Sequence, residues 1–373
     1  MKGALEGITV LDFSTLLPGP MATLFLAEAG AEVIKIERPG RGEDMRAFEP
    51  KWGRDSVNFA LLNRGKRSLA LDLKDADALK SLKPLIERAD VLVEQFRPGV
   101  MGRLGLSYED VKKIKPDIIY CSITGYGQDG PYRERAGHDL NYIGDAGLLS
   151  LAPGSMENPV VPPALIADIA GGSYPAVMNI LLALRARDHG GEGAYLDIAM
   201  TEGVFPFTYW AMGMGRASGG WPSPGDERIS GGSPRYQIYP TADGVLMTVA
   251  SLEEKFWRSF TTAIRLEPEW CDDDKDPKGT RARVAEIILS RTAAEWAPVI
   301  ADADCCCSFM KSMEEVMADP HFKVRGLFAE KIANEKGEEM PAAAVAICPS
   351  LRARQGEIFG APALGADNDE LLS

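Results

Sequence analysis

Two residues carry the types and setting that chemistry needs. His138 stands in Gly137-His138-Asp139-Leu140-Asn141-Tyr142, and Asp168, thirty residues on, in Ala167-Asp168-Ile169-Ala170-Gly171-Gly172, in a chain with only three histidines. An imidazole and a carboxylate, each beside small residues that leave room for a ligand, are the two bases that proton transfer at a carbon centre requires. Asp139 to Tyr142 reads as a helix start, whose free N–H groups would hold an oxyanion. Asp168 reads either as a base or as the N-cap of the helix that follows, and the two roles are compatible. Gly171 and Gly172 behind it would permit close approach of a ligand. His189, in Arg187-Asp188-His189-Gly190-Gly191, reads as a turn residue, and His321, after the helix-breaking Pro320, as a structural one.

The elements around this pair alternate. Ile8 to Phe13 reads as a strand, the Pro18-Gly19-Pro20 break leads into a small-residue helix through about Ala29, and Glu32 to Ile36 is a second strand. The pattern repeats with a strand at Ser68 to Leu73, a helix at Asp75 to Arg88, a strand at Asp90 to Phe96, a helix at Tyr108 to Ile114 and a strand at Asp117 to Thr124. Such alternation predicts a parallel sheet flanked by helices, an α/β fold with Rossmann-like layout. The first turn, Ser14 to Pro20, lacks the GxGxxG of a nicotinamide site. A helical pattern spans Tyr174 to Arg187. The Gly-, Ser- and Pro-rich stretch Gly213 to Pro234 then marks a boundary and predicts an extended connection, and the residues after it read as a smaller α+β domain.

At 373 residues the chain suits two domains. Its formal net charge of -13 argues against a nucleic-acid partner, which clustered Lys and Arg would have to meet. Of six cysteines, Cys121, Cys271 and Cys348 are scattered while Cys305, Cys306 and Cys307 are consecutive, so neither a disulfide framework nor a zinc spacing is present. All six read as reduced structural residues, with a thiol nucleophile in the triple as the alternative. No apolar run approaches the ~20 residues of a membrane span, and Met1 to Glu6 lacks a signal-peptide core; a cytoplasmic protein without membrane association is the expectation. Arg38 follows the second strand, Arg97 the fourth, and Arg103 a helical turn or two later. With Arg64, Lys66 and Arg67 these would grip the phosphates of a nucleotide-like ligand, or else be solvated surface charges.

Leu11-Asp12-Phe13 through Pro18-Gly19-Pro20, Ile36-Glu37-Arg38-Pro39-Gly40, Asn63-Arg64-Gly65-Lys66-Arg67-Ser68, Phe96-Arg97-Pro98-Gly99-Val100 and Gly125-Tyr126-Gly127-Gln128 together resemble the family III CoA-transferase and α-methylacyl-CoA racemase superfamily, the CaiB/BaiF type. Ala318-Asp319-Pro320-His321-Phe322 and Gly365-Ala366-Asp367-Asn368-Asp369 extend the likeness to nearly the whole chain. The resemblance implies an interlocked, ring-shaped homodimer. Each subunit would have a large CoA-binding domain over 1–200 completed by 330–373, a linker over 201–235, a small α+β domain over 236–317 and a return linker over 318–329.

It also implies that Arg38, the strand Ala70-Leu71-Asp72-Leu73, Arg97 and Arg103 contact CoA, with Gly137, Asp139 and Tyr142 on the same ligand face. CoA enters as part of the substrate; no separate cofactor and no metal is implied. In this superfamily transferases use the aspartate matching Asp168 as a nucleophile that forms an acyl anhydride. Racemases pair it with the histidine of the Gly-His-Asp-Leu/Ile-Asn-Tyr motif, and a glutamate matching Glu253 orients that histidine. This chain has the racemase pattern, although Glu254 stands where the family commonly has proline. Asp304 to Cys307 also departs from the usual single cysteine, with no role assigned. Three readings stand: epimerisation of a 2-methyl-branched acyl-CoA, CoA transfer through Asp168, and, third, a non-catalytic acyl-CoA binder.

Overall fold

The computed structural model describes residues 3–75, 77–353 and 355–373. Short runs of branched apolar residues, covered on both faces, build its central sheet. The strands are β1 (Thr9–Phe13), β2 (Glu32–Glu37), β3 (Arg67–Ala70), β4 (Val91–Glu94), β5 (Ile119–Thr124) and β6 (Ala194–Ala199). They lie in the order β3-β2-β1-β4-β5-β6, every pair parallel. The order reverses between β1 and β4, and the crevice outside the carboxyl ends at such a reversal is where open α/β sheets take ligands.

Five of the six strands stand where the alternation predicts. The third ends at Ala70, so Leu71 to Leu73 leave the sheet instead of extending it. β6 escaped the sequence reading because Asp197 interrupts a half-exposed run of edge-strand composition.

Helices cover both faces. α1 (Pro18–Glu28), with prolines in its first turn, is buried from Ala22 through Leu26. α2 (Ala78–Arg88) buries Leu82, Leu85 and Ile86 in a cluster with Leu11, Ile34 and Leu92 of the sheet. α3 (Asp139–Asp145) and α4 (Tyr174–Asp188) follow. A π-helical turn, Ala167–Ser173, runs directly into α4. The resulting 22-residue helix is long and apolar enough to cross a bilayer by composition, against the sequence expectation of no such run. In this structure it buries Ala176, Ile180, Ala183 and Leu184 and packs against α1, β5 and β6.

The C-terminal residues close the open edge at β3. Asp367 accepts the Ser68 N–H at 2.8 Å and Arg67 Nε at 3.0 Å, and the Asn368 side chain bonds both the N–H and the carbonyl of Ala70. An edge strand covered in this way cannot recruit a foreign strand.

The chain divides into two compact units. One comprises residues up to Ala146, Pro163–Pro206 and Pro320–Ser373; the other comprises Gly147–Pro162 and Phe207–Asp319. Residues 147–162, expected in the large domain, thus belong to the second unit, and part of the expected linker is the helix Tyr209–Ala217. The second unit holds an antiparallel sheet of β7 (Tyr236–Pro240), β8 (Leu246–Ala250) and β9 (Cys307–Phe309), with β8 central. Against it packs a core of Trp257, Phe260, Val284 and Trp296. Both indoles in that core donate to backbone carbonyls, those of Cys271 and Ile288, as buried indoles must.

Candidate active site

At the carboxyl ends of β1 to β4 the first unit opens a pocket of about 420 Å³. Phe13, Ile36, Leu71, Leu73 and Phe96 give it apolar walls, and Arg38, Asp72 and Asp44 stand at its margin. Arg38 is exposed, with Nε on the Gly42 carbonyl at 2.7 Å and its guanidinium on Asp44. Of the CoA-contacting positions implied by resemblance, Arg38, Leu71, Asp72 and Leu73 therefore share one pocket. Arg97 and Arg103 are exposed, after β4 and at the end of the helix Val100–Arg103, while Ala70 is the last residue of β3.

Arg64, Lys66 and Arg67 are not phosphate ligands in this structure. Lys66 is wholly buried, its ammonium on Asp12 (3.1 Å), Thr23, Asn63 and the Pro20 carbonyl. Arg64 bonds Glu28 and the Ala343 carbonyl. Arg67 joins Glu32, Asp367 and Glu370 at the sheet edge. Sequence reasoning also missed the buried ionic layer to which Lys66 belongs, where Lys35 pairs with Glu43 at 3.0 Å and Arg46 bridges Glu37 and Asp55. Its one visible signal was charges inside apolar strands, such as Asp12 in Val10-Leu11-Asp12-Phe13.

The two residues expected to transfer the proton stand at the start of α3 and in the π-helical turn. His138 is the exposed N-cap of α3, its own N–H donating to Asn141 Oδ1 at 3.0 Å. Asp139, expected on the ligand face, is buried, and its Oδ1 accepts the N–H of Asp168 at 2.9 Å. Asp139 thus ties the two segments together. Asp168 lies within the helical run, so it is not the N-cap that the sequence allowed. A π-helical turn is costly and frequent at functional sites.

Burial, and secondarily the charge of Asp139, push the Asp168 carboxyl up to about 6, against the opposing influence of the His138 imidazole. Tyr142 is also buried beside this pair. Its hydroxyl donates to the Gly137 carbonyl, and its phenol is pushed up to about 12 by burial and by Asp168, with Arg97 opposing. A Cβ at Gly137 or Gly125 would come within 2.7 or 2.5 Å of the Tyr142 ring, so both glycines are required by that packing.

Gly171 and Gly172 serve packing as well. A Cβ at Gly171 would lie 2.4 Å from the Met200 carbonyl, and one at Gly172 would press on Met200 and Pro18. They admit neighbouring chain, not ligand. By helix geometry the N–H groups of Asp139 and Leu140 have no intrahelical acceptor, and they are the donors α3 offers to an oxyanion. Glu253 belongs to the second unit, exposed at the N-terminus of α5 (Glu254–Ile264).

Residues 5–368 match the model of CoA-transferase family III. The chain is 35% identical over 343 residues to the alpha-methylacyl-CoA racemase of Homo sapiens, covering 91% of this chain and 85% of that protein. It is 33% identical over 341 residues to the succinyl-CoA:glutarate CoA-transferase of Homo sapiens, covering 87% of this chain and 76% of that one. The crystal structure of a CAIB/BAIF family protein from Brucella suis matches over the whole of both chains with a TM-score of 0.82 and 27% identity. The chain therefore belongs to CoA-transferase family III, whose members are enzymes acting on acyl-CoA.

Proposed function

We propose that this enzyme epimerises 2-methyl-branched acyl-CoA thioesters by two-base proton transfer at the α-carbon. The observation that carries this reading is the Asp168 carboxyl raised to about 6 beside His138. An ordinary imidazole titrates near ~6.5 and an ordinary aspartate near ~3.9. The shift brings the aspartate to within reach of an imidazole, which a reaction running in both directions requires.

His138 takes the α-proton from one face, and its electron pair moves into an enolate whose oxygen lies against the N–H groups of Asp139 and Leu140. Protonated Asp168 then delivers its proton to the opposite face. The other epimer is handled by the same steps reversed. The pocket walled by Leu71 and Leu73 holds the nucleotide end of CoA. The interlocked dimer and the cytoplasmic location belong to this reading too.

The second reading is CoA transfer, favoured by the likeness to a glutarate CoA-transferase. There the Asp168 carboxylate attacks the thioester carbonyl, CoA thiolate leaves, and an acyl anhydride forms. Incubating one epimer of a 2-methylacyl-CoA in deuterium oxide with succinate present separates the two. α-Deuteration with loss of stereochemical purity is expected. Succinyl-CoA without exchange would replace the racemase with the transferase, and neither product would remove both.

A further inference from the structure

Asp304-Cys305-Cys306-Cys307 has no part in the chemistry above. The run closes the helix Ala293–Ala303 and opens β9. In an extended strand, residues two apart face the same side but lie roughly 6.5–7 Å apart along the chain. A disulfide requires Cβ atoms about 3.5–4.5 Å apart. Here Asp304 and Cys306 have φ of 46° and 55°, left-handed conformations that side chains rarely adopt. The resulting curl folds Cys307 back on Cys305, so that Cys307 Sγ reaches the Cys305 carbonyl at 3.4 Å and lies 3.7 Å from Ser251 Oγ. Cys305 is buried, Cys307 half-buried and Cys306 exposed.

We propose that Cys305 and Cys307 are a dithiol site that hydrogen peroxide oxidises to an intrachain disulfide. The neighbouring Cys307 holds the Cys305 thiol below its ordinary pKa, which favours the thiolate as the attacking group. The Cys305 sulfur attacks the peroxide, the O–O bond breaks, and a sulfenic acid and one water form. Cys307 then attacks that sulfur, the S–O bond breaks, the S–S bond forms and a second water leaves. Two thiol hydrogens are lost and one hydrogen peroxide is reduced to two waters. The left-handed turn at Cys306 has already replaced the extended spacing of a strand, so less chain movement precedes the bond.

The site is wired to its surroundings. Ser251 Oγ donates to the Cys305 carbonyl at 2.5 Å, and the Ala250 N–H donates to the Cys306 carbonyl at 3.0 Å. The turn thereby grips the end of β8, from which Ser251-Leu252-Glu253 leads into α5.

The test is covalent, so it does not depend on which acyl-CoA reaction the enzyme performs. Full-length folded protein is treated with hydrogen peroxide to a dose that modifies the exposed Cys348, alkylated and peptide-mapped by mass spectrometry. A Cys305–Cys307 link reversed by dithiothreitol is expected in the unmodified chain and in Cys306→Ser. In Cys307→Ser, Cys305 is expected to proceed to the sulfinic acid with no link. Alkylated Cys305 and Cys307 at that dose, a link through Cys306, or sulfinic acids without any link in the unmodified chain would each overturn the proposal. Cys307 is only half-buried, so Cys307→Ser is the variant of the pair that leaves the packed core unchanged.

Discussion

Asp12 and Asp168 are the same residue type in two buried settings of the same unit, and they end in opposite electrostatic states. Asp12 is inaccessible, and burial alone would push its carboxyl up. The ammoniums of Lys66 and Lys35 and the hydroxyls of Ser14 and Thr23 outweigh that effect and hold it well below the usual carboxylate range. Asp168 is less buried, yet among the described residues no lysine or arginine pairs with it, and its carboxyl rises to about 6. Depth therefore does not decide which carboxyl is raised. The absence of a paired cation does, because burial then acts on the charged form without compensation.

The comparison can be broken first at Asp168. Asp168→Asn is expected to lower α-proton exchange by about 100- to 10,000-fold, the usual worth of a general acid or base. Its urea midpoint at pH 8 should stay at or above that of the parent, since the carboxylate is disfavoured in the folded state; a clear loss of stability would place Asp168 in the same class as Asp12. Asp12→Ala should instead leave the Lys66 ammonium buried without its carboxylate and reduce stability by about 3–5 kcal/mol, read by urea unfolding.

Glu94 offers an intermediate case. Burial pushes its carboxyl from 4.5 up to about 7, with Ser122 and the Phe96 N–H opposing. The folded state holds this proton more tightly than the unfolded chain does. The associated stability is complete below about pH 4.5 and is lost as the pH rises through about 7. Glu94→Gln should flatten that decline, a difference on the order of 3 kcal/mol between unfolding at pH 5 and at pH 8. The smallest effect is expected from Asp139→Asn, which keeps an oxygen for the Asp168 N–H but removes the like charge. The Asp168 pKa should fall from about 6, and in the direction in which Asp168 donates the proton the basic limb of the pH–rate profile should move to lower pH by a fraction of a unit.

Much of the site was legible in the residues. Gly137 to Tyr142 and Ala167 to Gly172 stood out as motifs, and in the structure the Asp139–Asp168 hydrogen bond joins them; strand–helix alternation announced the parallel sheet. What misled was the purpose of individual polar and small residues. Arg64, Lys66 and Arg67 looked like phosphate ligands because a sequence shows charge without its partner. Gly171 and Gly172 looked like room for substrate because it shows a missing side chain without what fills the space. β6 was missed because edge strands tolerate the polar residues that obscure a strand pattern.

The sequence by itself determined which segments alternate between strand and helix, where an imidazole and a carboxylate could meet, and the family to which those motifs belong. Only the tertiary structure decided which charges are neutralised. Asp12 and Lys66 are 54 positions apart and meet because the chain after α1 returns along the sheet, so Coulomb attraction between them exists only once the strands are ordered. The same folding leaves Asp168 half-buried beside Asp139, and that arrangement, not its identity as an aspartate, sets its proton affinity.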